Sequence, residues 1–268
     1  MVATPSRSPL AADALAGQVA IVTGGGTGIG RATARAFVAA GARVAICGRR
    51  EEPLRASVDE LGDAAFAMPC DVREPAQVAT FLDAVGERFD RVDHLINNAG
   101  GQFAAPLEQT PVKGMRAVHR LNLDATWDVT QRVAERWMIP ARSGFIAFLG
   151  FSPRRGIPMM IHSSMARSAL ETFAAGIALE WSRFGIRAVC VAAGLIRTEG
   201  LLGYGGEDLV EAYAEQVPLR RPGTADEVGQ TIAFLASPGG AYITGTTVVV
   251  DGGADAWGAG SPPPELEP

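Results

Sequence analysis

A glycine-rich turn is the first stretch of this sequence whose residue types and spacing could do chemistry. Residues 23–30 read TGGGTGIG and follow a continuous apolar run at residues 19–22, the pattern of a strand buried on both faces. From Gly28 the apolar residues recur at helical spacing. Glycines let a backbone approach a pyrophosphate closely, and the N-terminus of the following helix favours its negative charge. The stretch predicts a phosphate cradle, with an ordinary tight strand–helix connection as the alternative.

Two arginines could select between the two nicotinamide dinucleotides. The second apolar run ends at Cys47 and is followed by Arg49 and Arg50, whereas the acids Glu51 and Glu52 come later, where they suit the dipole of a predicted helix. An acid at the end of this strand accepts hydrogen bonds from a ribose 2′-hydroxyl, and arginine there accommodates a 2′-phosphate with forked, charge-assisted hydrogen bonds. The pair predicts NADP(H) over NAD(H), and a solvated basic pair is the alternative.

The elements that must position these residues alternate along the chain between buried strand patterns and helical periodicity. This alternation predicts parallel βαβ units with right-handed crossovers, and ligands outside the carboxyl ends of the strands. Strands are predicted at residues 19–22, 43–47, 64–68, 92–96, 145–149, 186–192 and 246–250, and helices at residues 28–40, 51–61, 75–89, 112–138, 163–184, 207–216 and 225–236.

Length, charge and cysteine usage limit the possible functions. The chain has 268 residues, 47% of them hydrophobic, which suffices for one large α/β domain. A net charge of -5 argues against nucleic acid or an anionic membrane as the main partner, so we expect a small-molecule partner. Cys47, Cys70 and Cys190 are isolated in apolar runs, which predicts buried reduced thiols, no metal site and a cytoplasmic location.

The two ends of the sequence differ from the rest in composition. Residues 1–16 lack the hydrophobic core of a signal peptide, and no apolar run in the sequence reaches transmembrane length. Residues 258–268 are rich in Pro and Glu. We therefore expect a disordered leader at residues 1–16, a single domain at residues 17–257 and a disordered tail at residues 258–268.

Several motifs in this order resemble the short-chain dehydrogenase/reductase family. They are the glycine-rich turn, Asp71 after the third strand, NNAG at residues 97–100, Asn122 in a long helix, and YITG and VDGG within residues 242–253. The resemblance implies an α/β fold, a Rossmann-type doubly wound seven-stranded parallel sheet, and a homotetramer or homodimer built on the two long helices and the C-terminal strand. By motif position it implies cofactor contacts from Gly24, Thr27, Gly28, Ile29, Gly30, Arg49, Arg50, Asp71, Val72, Asn98, Ala99, Gly100, Asn122, Arg167, Gly194, Ile196 and Thr198.

Most of the family's proton-transfer residues are replaced in this sequence. The usual chemistry uses an Asn, a Ser at the end of the fifth strand, and a Tyr and a Lys four residues apart on the next helix. Alignment without gaps keeps Asn122 but places Gly150, Ser163 and Arg167 at the other positions. A serine hydroxyl is too weak an acid to replace a tuned phenol, and arginine can hold a ribose but cannot lose its proton. The ordinary proton transfer is therefore not expected.

Four local strings resemble one branch of the family. They are NNAGGQFAAPLE at residues 97–108, KG..AV at residues 113–118, NL..T at residues 122–126 and HSSMAR at residues 162–167. They are similar to peroxisomal trans-2-enoyl-CoA reductases and their bacterial relatives, and the related dienoyl-CoA reductases also carry Ser in place of the Tyr. The resemblance implies hydride transfer from NADPH to the β-carbon of an α,β-unsaturated acyl thioester. Such a reduction demands less of a proton donor, because hydrogen bonds polarise the thioester carbonyl and the enolate can be protonated by water or a nearby acid.

The predicted catalytic residues are Asn122, Ser163 and Arg167, together with two candidate acids, Tyr204 and His162. Tyr204 lies in a Gly-flanked segment where the family has its mobile substrate lid, although a surface aromatic residue is the alternative. His162 could protonate an enolate, although a histidine at a helix start is often a cap or a surface group.

The loop before the second long helix predicts a wall of the substrate pocket. It carries an arginine pair that could bind a phosphate or carboxylate, and methionines that adapt to irregular ligands. A solvated arginine pair and plain core packing are the alternatives. The predicted substrate residues are Phe151, Arg154, Arg155, Met159 and Met160, with Tyr204 from the lid.

Two other functions stay open at this point. Relatives with a His-x-x-x-Ala-Arg string suggest a carbonyl or alcohol oxidoreductase with a substitute acid. The replacements at Gly150 and Ser163 are also compatible with a lyase, a cyclase or a binding protein that keeps the nucleotide site. NNAG, Asn122 and the cation at Arg167 favour a reductase, because these residues position a reactive nicotinamide.

Overall fold

Parallel strands form the central sheet, and its inner strands come from short apolar runs that are buried on both faces, whereas the two edge strands are only partly buried. The computed structural model describes residues 10–154 and 156–257. The sheet has seven strands in the order β3-β2-β1-β4-β5-β6-β9, and the pair β7-β8 forms a separate small sheet. The strands are β1 (Val19–Thr23), β2 (Arg43–Gly48), β3 (Ala65–Pro69), β4 (His94–Asn97), β5 (Gly144–Phe151), β6 (Ile186–Ala193), β7 (Ile196–Arg197), β8 (Gly223–Thr224) and β9 (Thr247–Val250).

Helices cover both faces of the sheet, so the predicted doubly wound architecture is confirmed. One core cluster includes Phe37 and Ile232 together with Val22 of β1, and the other includes Phe81 and Leu170 together with Leu95 of β4. The helices are α1 (Gly28–Ala39), α2 (Glu51–Leu61), α3 (Pro75–Arg88), α4 (Val112–His119), α5 (Ala125–Val133), α6 (Ile139–Ala141), α7 (Ile161–Trp181), α8 (Glu199–Leu202), α9 (Gly206–Ala214), α10 (Ala225–Ala236) and α11 (Ala254–Trp257).

The strand order reverses beside β1, which pairs with β2 on one side and β4 on the other. Ligands of doubly wound sheets bind in the crevice outside the carboxyl ends of the strands at this switch point. The turn after β1, the arginines after β2 and the NNAG motif after β4 therefore open into one crevice.

The first long helix is interrupted by two wider turns. Arg120–Asp124 joins α4 to α5, and Ala134–Met138 joins α5 to α6, each as a π-helical turn. Single π turns inside α-helices occur often at functional sites. Asn122 lies in the first of them.

The leader predicted at residues 1–16 is only in part outside the described residues. Residues 10–16 pack on the domain: Leu15 is fully buried, and its N–H donates to the carbonyl of Ala40 at 2.8 Å. The expectation of disorder is wrong for this part, because its composition is apolar apart from Asp13: Leu15 is buried in the core, and Leu10 and Ala14 pack against it. Residues 1–9 and the predicted tail at residues 258–268 lie outside the described residues.

The segment with α8 and α9 is held at both of its ends. Ile196 pairs with Gly223 and Arg197 with Thr224, so β7 and β8 close its base. Strands of two residues are too short to show a period in the sequence, and the sequence did not predict them. Across the described ranges, no helix has the length and apolar character needed to cross a membrane.

Candidate active site

The turn after β1 requires glycine at two positions because other groups pass too close. Gly24 has a φ of 66°, and a Cβ there would lie 2.8 Å from Nδ2 of Asn98. A Cβ on Gly30 would lie 2.2 Å from the carbonyl oxygen of Gly24. The turn therefore exposes bare backbone at the start of α1, as a bound pyrophosphate requires.

Thr23 and Asn98 hold this turn against the end of β4. The Asn98 amide donates to the carbonyl of Thr23 at 2.8 Å and to that of Gly24 at 3.1 Å. The Thr23 hydroxyl accepts the backbone N–H groups of Asn98 and Ala99 at 3.1 and 3.0 Å. The Asn98 side chain thus builds the turn itself. Sequence analysis missed Thr23, although a polar residue ending a buried apolar strand is a usable signal.

Thr198 faces the turn from the other side of the crevice. A Cβ on Gly28 would lie 3.3 Å from Cγ2 of Thr198, and the Thr198 hydroxyl accepts the N–H of Leu201 and caps α8. The remaining predicted contacts lie around the same crevice: Thr27 precedes α1, Ile29 packs on the core, Ile196 and Val72 are buried, and Gly194 lies against Asp251.

Arg49 and Arg50 are exposed at the end of β2. Within the described ranges, neither side chain forms a hydrogen bond or an ion pair. Asp71 lies near Arg49 but is bound in a fork by Arg73, with 2.9 Å between Arg73 Nε and Asp71 Oδ1. Arg73 holds the pKa of Asp71 below its ordinary value, and burial opposes this. The sequence did not predict a role for Arg73, because nothing in the local pattern distinguishes it from other loop arginines.

Asn122 uses its whole amide to hold one residue of the NNAG loop. Its Oδ1 accepts the N–H of Gly101 at 2.9 Å and its Nδ2 donates to the carbonyl of Gly101 at 3.0 Å. The side chain is fully buried. Asn122 therefore fixes the loop that separates the predicted cofactor site from the predicted substrate site.

Arg167 is a buried cation without a carboxylate partner among the described residues. Its Nη1 donates to the carbonyl of Leu149, its Nη2 lies where a Cβ on Gly100 would stand, and its Nε has no hydrogen-bond partner. Burial lowers the pKa of Arg167 to about 10, so the guanidinium stays charged near neutral pH. A buried N–H without a partner is costly, which points to an acceptor supplied by a ligand.

Two further buried atoms have no hydrogen-bond partner among the residues that the structure describes. These are Oγ of Ser163 and Nε2 of His162. The His162 ring stacks on Phe103 with 4.3 Å between the ring centroids, and burial lowers its pKa. His162 is therefore neutral near pH 7. Because the Phe103 carbonyl interacts with the same ring, we place the proton on Nδ1, which leaves Nε2 as an acceptor.

Tyr204 reaches the site from α8 and the turn that follows it. Its hydroxyl donates to the carbonyl of Gln102 at 2.9 Å, one residue from the Gly101 that Asn122 holds. Burial raises its pKa, so the phenol stays protonated. The structure thus brings Tyr204, Asn122 and the NNAG loop together through two consecutive residues, and Gln102 is a contact that sequence analysis did not single out.

Comparison with known proteins decides the family. The family model described as Enoyl-(Acyl carrier protein) reductase matches residues 24–255. A solved structure of a citronellol catabolism dehydrogenase (AtuB) from Pseudomonas aeruginosa PAO1 is 36% identical with a TM-score of 0.83, covering 93% of this chain and 100% of that chain. A second, of a short chain dehydrogenase/reductase family protein, is 31% identical with a TM-score of 0.82, covering 90% and 99%. The chain belongs to the short-chain dehydrogenase/reductase family.

Two curated relatives add names to the comparison. A probable 2,4-dienoyl-CoA reductase 3 from Caenorhabditis elegans is 33% identical, covering 95% of this chain and 86% of the relative. A probable 2,4-dienoyl-CoA reductase from Bacillus subtilis is 32% identical, covering 87% and 94%. The resemblance drawn from the motifs is confirmed, and this short-chain dehydrogenase/reductase is an oxidoreductase with a nicotinamide cofactor.

The glycine at position 150 has a visible cause in this family member. A Cβ on Gly150 would lie 2.7 Å from Sγ of Cys190, so the thiol on β6 occupies the space that a serine side chain would need. Burial raises the pKa of Cys190 to about 12, so this thiol is a space-filling group and not a nucleophile. Cys190 was predicted only as a buried thiol, and its contact follows from the β5–β6 register.

The predicted substrate wall divides into two parts. Arg154 is neutralised, with 3.0 Å between its Nε and Asp255 and 3.3 Å between its Nη1 and Glu171. It therefore fastens the loop to α7 and α11, a geometry that does not favour the predicted binding of a substrate anion by Arg154. Met159 is exposed and its carbonyl accepts the N–H of Ala105 at 2.9 Å, while Met160 is half-buried and Phe151 lies under Arg167. Arg155 lies outside the described residues.

Proposed function

We propose that this short-chain dehydrogenase/reductase uses NADPH to reduce a carbon–carbon double bond conjugated to a thioester carbonyl. The observation that carries the proposal is position 163, where a buried serine without a partner stands in place of a phenol, beside a charged Arg167 whose Nε lacks an acceptor. The 2,4-dienoyl-CoA reductase names of the relatives support the substrate class.

The residues of the crevice fit the cofactor. The bare backbone at Gly24 and Gly30 suits the pyrophosphate, and Arg49 and Arg50 suit a 2′-phosphate because no acid replaces them at the end of β2. The free Nε of Arg167 suits a ribose hydroxyl. When bound, the reduced nicotinamide supplies the hydride that the electrophilic carbon of the substrate accepts.

Tyr204 is the group best placed to polarise the thioester carbonyl. Its phenol is protonated, and it is held at the Gln102 carbonyl from which it can turn towards a substrate oxygen. His162 is less suited to donate a proton, because its ring is neutral and its free nitrogen is an acceptor. Protonation of the enolate α-carbon falls to water or to Tyr204. Asn122 and Arg167 keep the loop and the cofactor in place while this occurs.

Oxidation of an alcohol is the second candidate, because the similar protein from Pseudomonas aeruginosa is named a citronellol catabolism dehydrogenase. Two assays separate these candidates. One follows the absorbance of NADPH with a panel of enoyl thioesters, dienoyl thioesters, enones and ketones. The other follows the reduction of NADP⁺ with citronellol. Oxidation of NADPH only with conjugated thioesters is the expected result. Turnover of citronellol or of simple ketones at higher kcat/KM would overturn the proposal, and cofactor binding without any turnover would favour a non-redox role.

Assembly and location complete the proposal. Leu179 on α7 is 82% exposed, and Trp127 on α5 is 56% exposed while it stacks on Phe173 at 4.8 Å. An apolar face of this kind suits a homotetramer or homodimer built on the two long helices. Sedimentation velocity tests this, and a monomer at micromolar concentration would contradict it. A cytoplasmic location also stays a prediction, to be checked by cell fractionation.

A further inference from the structure

The arginines and the lysine of the described ranges are almost all satisfied within the chain. They pair with carboxylates, donate to carbonyl groups or lie over aromatic rings. The exceptions, which have no hydrogen bond, ion pair or ring contact with another described residue, fall into two groups. One group is Arg49, Arg50 and Arg55 beside the proposed 2′-phosphate site, and the other is Lys113 and Arg116 on α4.

Lys113 and Arg116 lie three residues apart on α4 and are both exposed. Residues at this spacing share one face of a helix. Arg120, one turn further on, is occupied: it donates to Glu74 at 2.8 Å and to the carbonyl of Arg73 at 3.1 Å. Glu108 is exposed just before α4 and forms an ion pair with neither cation. In a chain of net charge -5, two adjacent uncompensated cations form a local anion-attracting surface.

One segment connects this surface to the active site. A Cβ on Gly114 would lie 2.9 Å from Cζ of Phe103, whose ring stacks on His162. Ala105, in the same segment, is bonded to Met159, and Gln102 is bonded to Tyr204. The first turn of α4 therefore forms the rim of the proposed substrate site. Exposed Leu107 and Val112 make the same rim apolar.

We propose that Lys113 and Arg116 bind the phosphate groups of a coenzyme A thioester at the rim of the active site. The inference rests on the proposed function and deepens it from a thioester to a CoA thioester. A CoA thioester combines an apolar acyl chain and an uncharged pantetheine arm with phosphates at its far end, and the rim combines the apolar side chains of Leu107 and Val112 with two cations that have no partner among the described residues. Of the arginine pair predicted to bind a substrate anion, Arg154 already pairs with two carboxylates and is therefore a weaker candidate for the phosphates of CoA.

Kinetics with two thioesters of one acyl group test the inference. Lys113→Ala/Arg116→Ala should raise KM for the CoA thioester about tenfold, because charge-assisted hydrogen bonds to phosphate are lost, with kcat unchanged. The N-acetylcysteamine thioester has no phosphate, so its KM should change less than twofold. Arg88→Ala/Arg183→Ala removes two exposed cations on α3 and after α7, and should alter neither KM. Equal effects on both thioesters, or none, would overturn the inference.

Lys113 is the only lysine of the sequence, which allows a test that needs neither turnover nor a variant. Amine acylation of the NADP⁺-saturated enzyme is followed by mass spectrometry at Lys113, with the N-terminal amine as the internal reference. CoA should slow acylation of Lys113 at least fivefold, and pantetheine should not. No protection by CoA, or the same protection by pantetheine, would contradict the inference.

These two experiments separate the possible failures. If no thioester is reduced but CoA protects Lys113, the proposed function fails and the phosphate site stands. If the double variant impairs an acyl carrier protein thioester and not the CoA thioester, the surface docks a protein and the CoA assignment is wrong. If the double variant changes the oligomeric state and CoA does not protect Lys113, the two cations belong to a subunit interface.

Discussion

Arg49 directly follows the end of β2. At this position, doubly wound folds distinguish the 2′-phosphate of NADP(H) from the 2′-hydroxyl of NAD(H). Arg49→Asp places a negative charge where we propose a 2′-phosphate and offers a carboxylate to a 2′-hydroxyl. The ratio of kcat/KM for NADPH to kcat/KM for NADH should fall at least about 100-fold, since a forked charged contact is replaced by repulsion. Steady-state kinetics with both cofactors measure this, with Arg88→Asp on the remote α3 as the charge-matched control. An unchanged ratio would remove the basis for NADP(H).

Ser163 and Arg167 lie on adjacent turns of α7. We expect their alanine substitutions to have very different effects on kcat. Arg167→Ala removes the buried cation that we propose holds the ribose of the cofactor, so kcat should fall about 100-fold or more. Ser163→Ala removes a buried hydroxyl without a partner, so kcat should change less than threefold and stability should stay the same or rise by up to about 1 kcal/mol. Measurements of turnover and of thermal unfolding for both variants test this prediction. Similar small losses in both would place the chemistry elsewhere.

At the residue scale, sequence motifs located the crevice but not the partners inside it. The positions of Asn122, Ser163 and Arg167 follow from spacing on helices, which the sequence predicts well. The pairing of Arg154 with Asp255 joins residues 101 positions apart, and the bond between Tyr204 and Gln102 joins residues 102 positions apart. Such contacts depend on the closed fold, and no local pattern encodes them. That is why Arg154 was predicted as a free cation.

His94 makes β4 sensitive to acid. It is buried between the rings of Phe37 and Phe145, and its Nε2 lies 2.5 Å from Oε1 of Gln18. Burial lowers its pKa from 6.5 to about 4. Between these values the unfolded chain binds a proton at this site and the folded chain does not, so the stability that is fully present above pH 6.5 is lost as pH falls towards 4.

This titration should lower the free energy of unfolding by about 3 kcal/mol between pH 6.5 and pH 4. His94→Gln keeps a polar side chain without a titrating ring, so its unfolding free energy should fall less steeply over the same range. Urea unfolding of both proteins at matched concentration, at pH 6.5, 5.5 and 4.5, measures the difference. If the unfolding free energies of the two proteins fell in parallel with pH, His94 would bind its proton as readily in the folded chain as in the unfolded chain, which would contradict the prediction.

At the element scale, the sequence predicted the strands of the main sheet and the long helices because each carries a sustained apolar period. It did not predict β7 and β8, which have two residues each, or the π turn that carries Asn122, since an extra residue in one turn barely alters a helical pattern. It was also wrong about residues 10–16, where Leu15 is buried in the core and Leu10 and Ala14 pack against it. Short elements held by tertiary contacts are the ones that periodicity cannot reveal.

The whole molecule combines a complete dinucleotide crevice with an altered proton-transfer set. The doubly wound sheet, the bare turn at Gly24 and Gly30 and the cation at Arg167 provide for a nicotinamide cofactor. We propose that, with Gly150 and Ser163 at the positions of the family's usual Ser and Tyr, the protein lacks the acid that ordinary carbonyl reduction needs. A conjugated thioester reconciles the two, because its reduction needs a hydride donor and a polarised carbonyl but no strong acid on α7.

The destination of the hydride tests this account most directly. NADPH deuterated at nicotinamide C4, in each stereochemical position, is incubated with a 2-enoyl-CoA and with a 2,4-dienoyl-CoA, and the products are examined by mass spectrometry and NMR. We predict deuterium on the carbon skeleton of the former double-bond system with the thioester intact, and a solvent proton at the α-carbon of the 2-enoyl product. Deuterium at the carbonyl carbon, with an aldehyde or alcohol formed, would contradict the account, as would no transfer to either substrate.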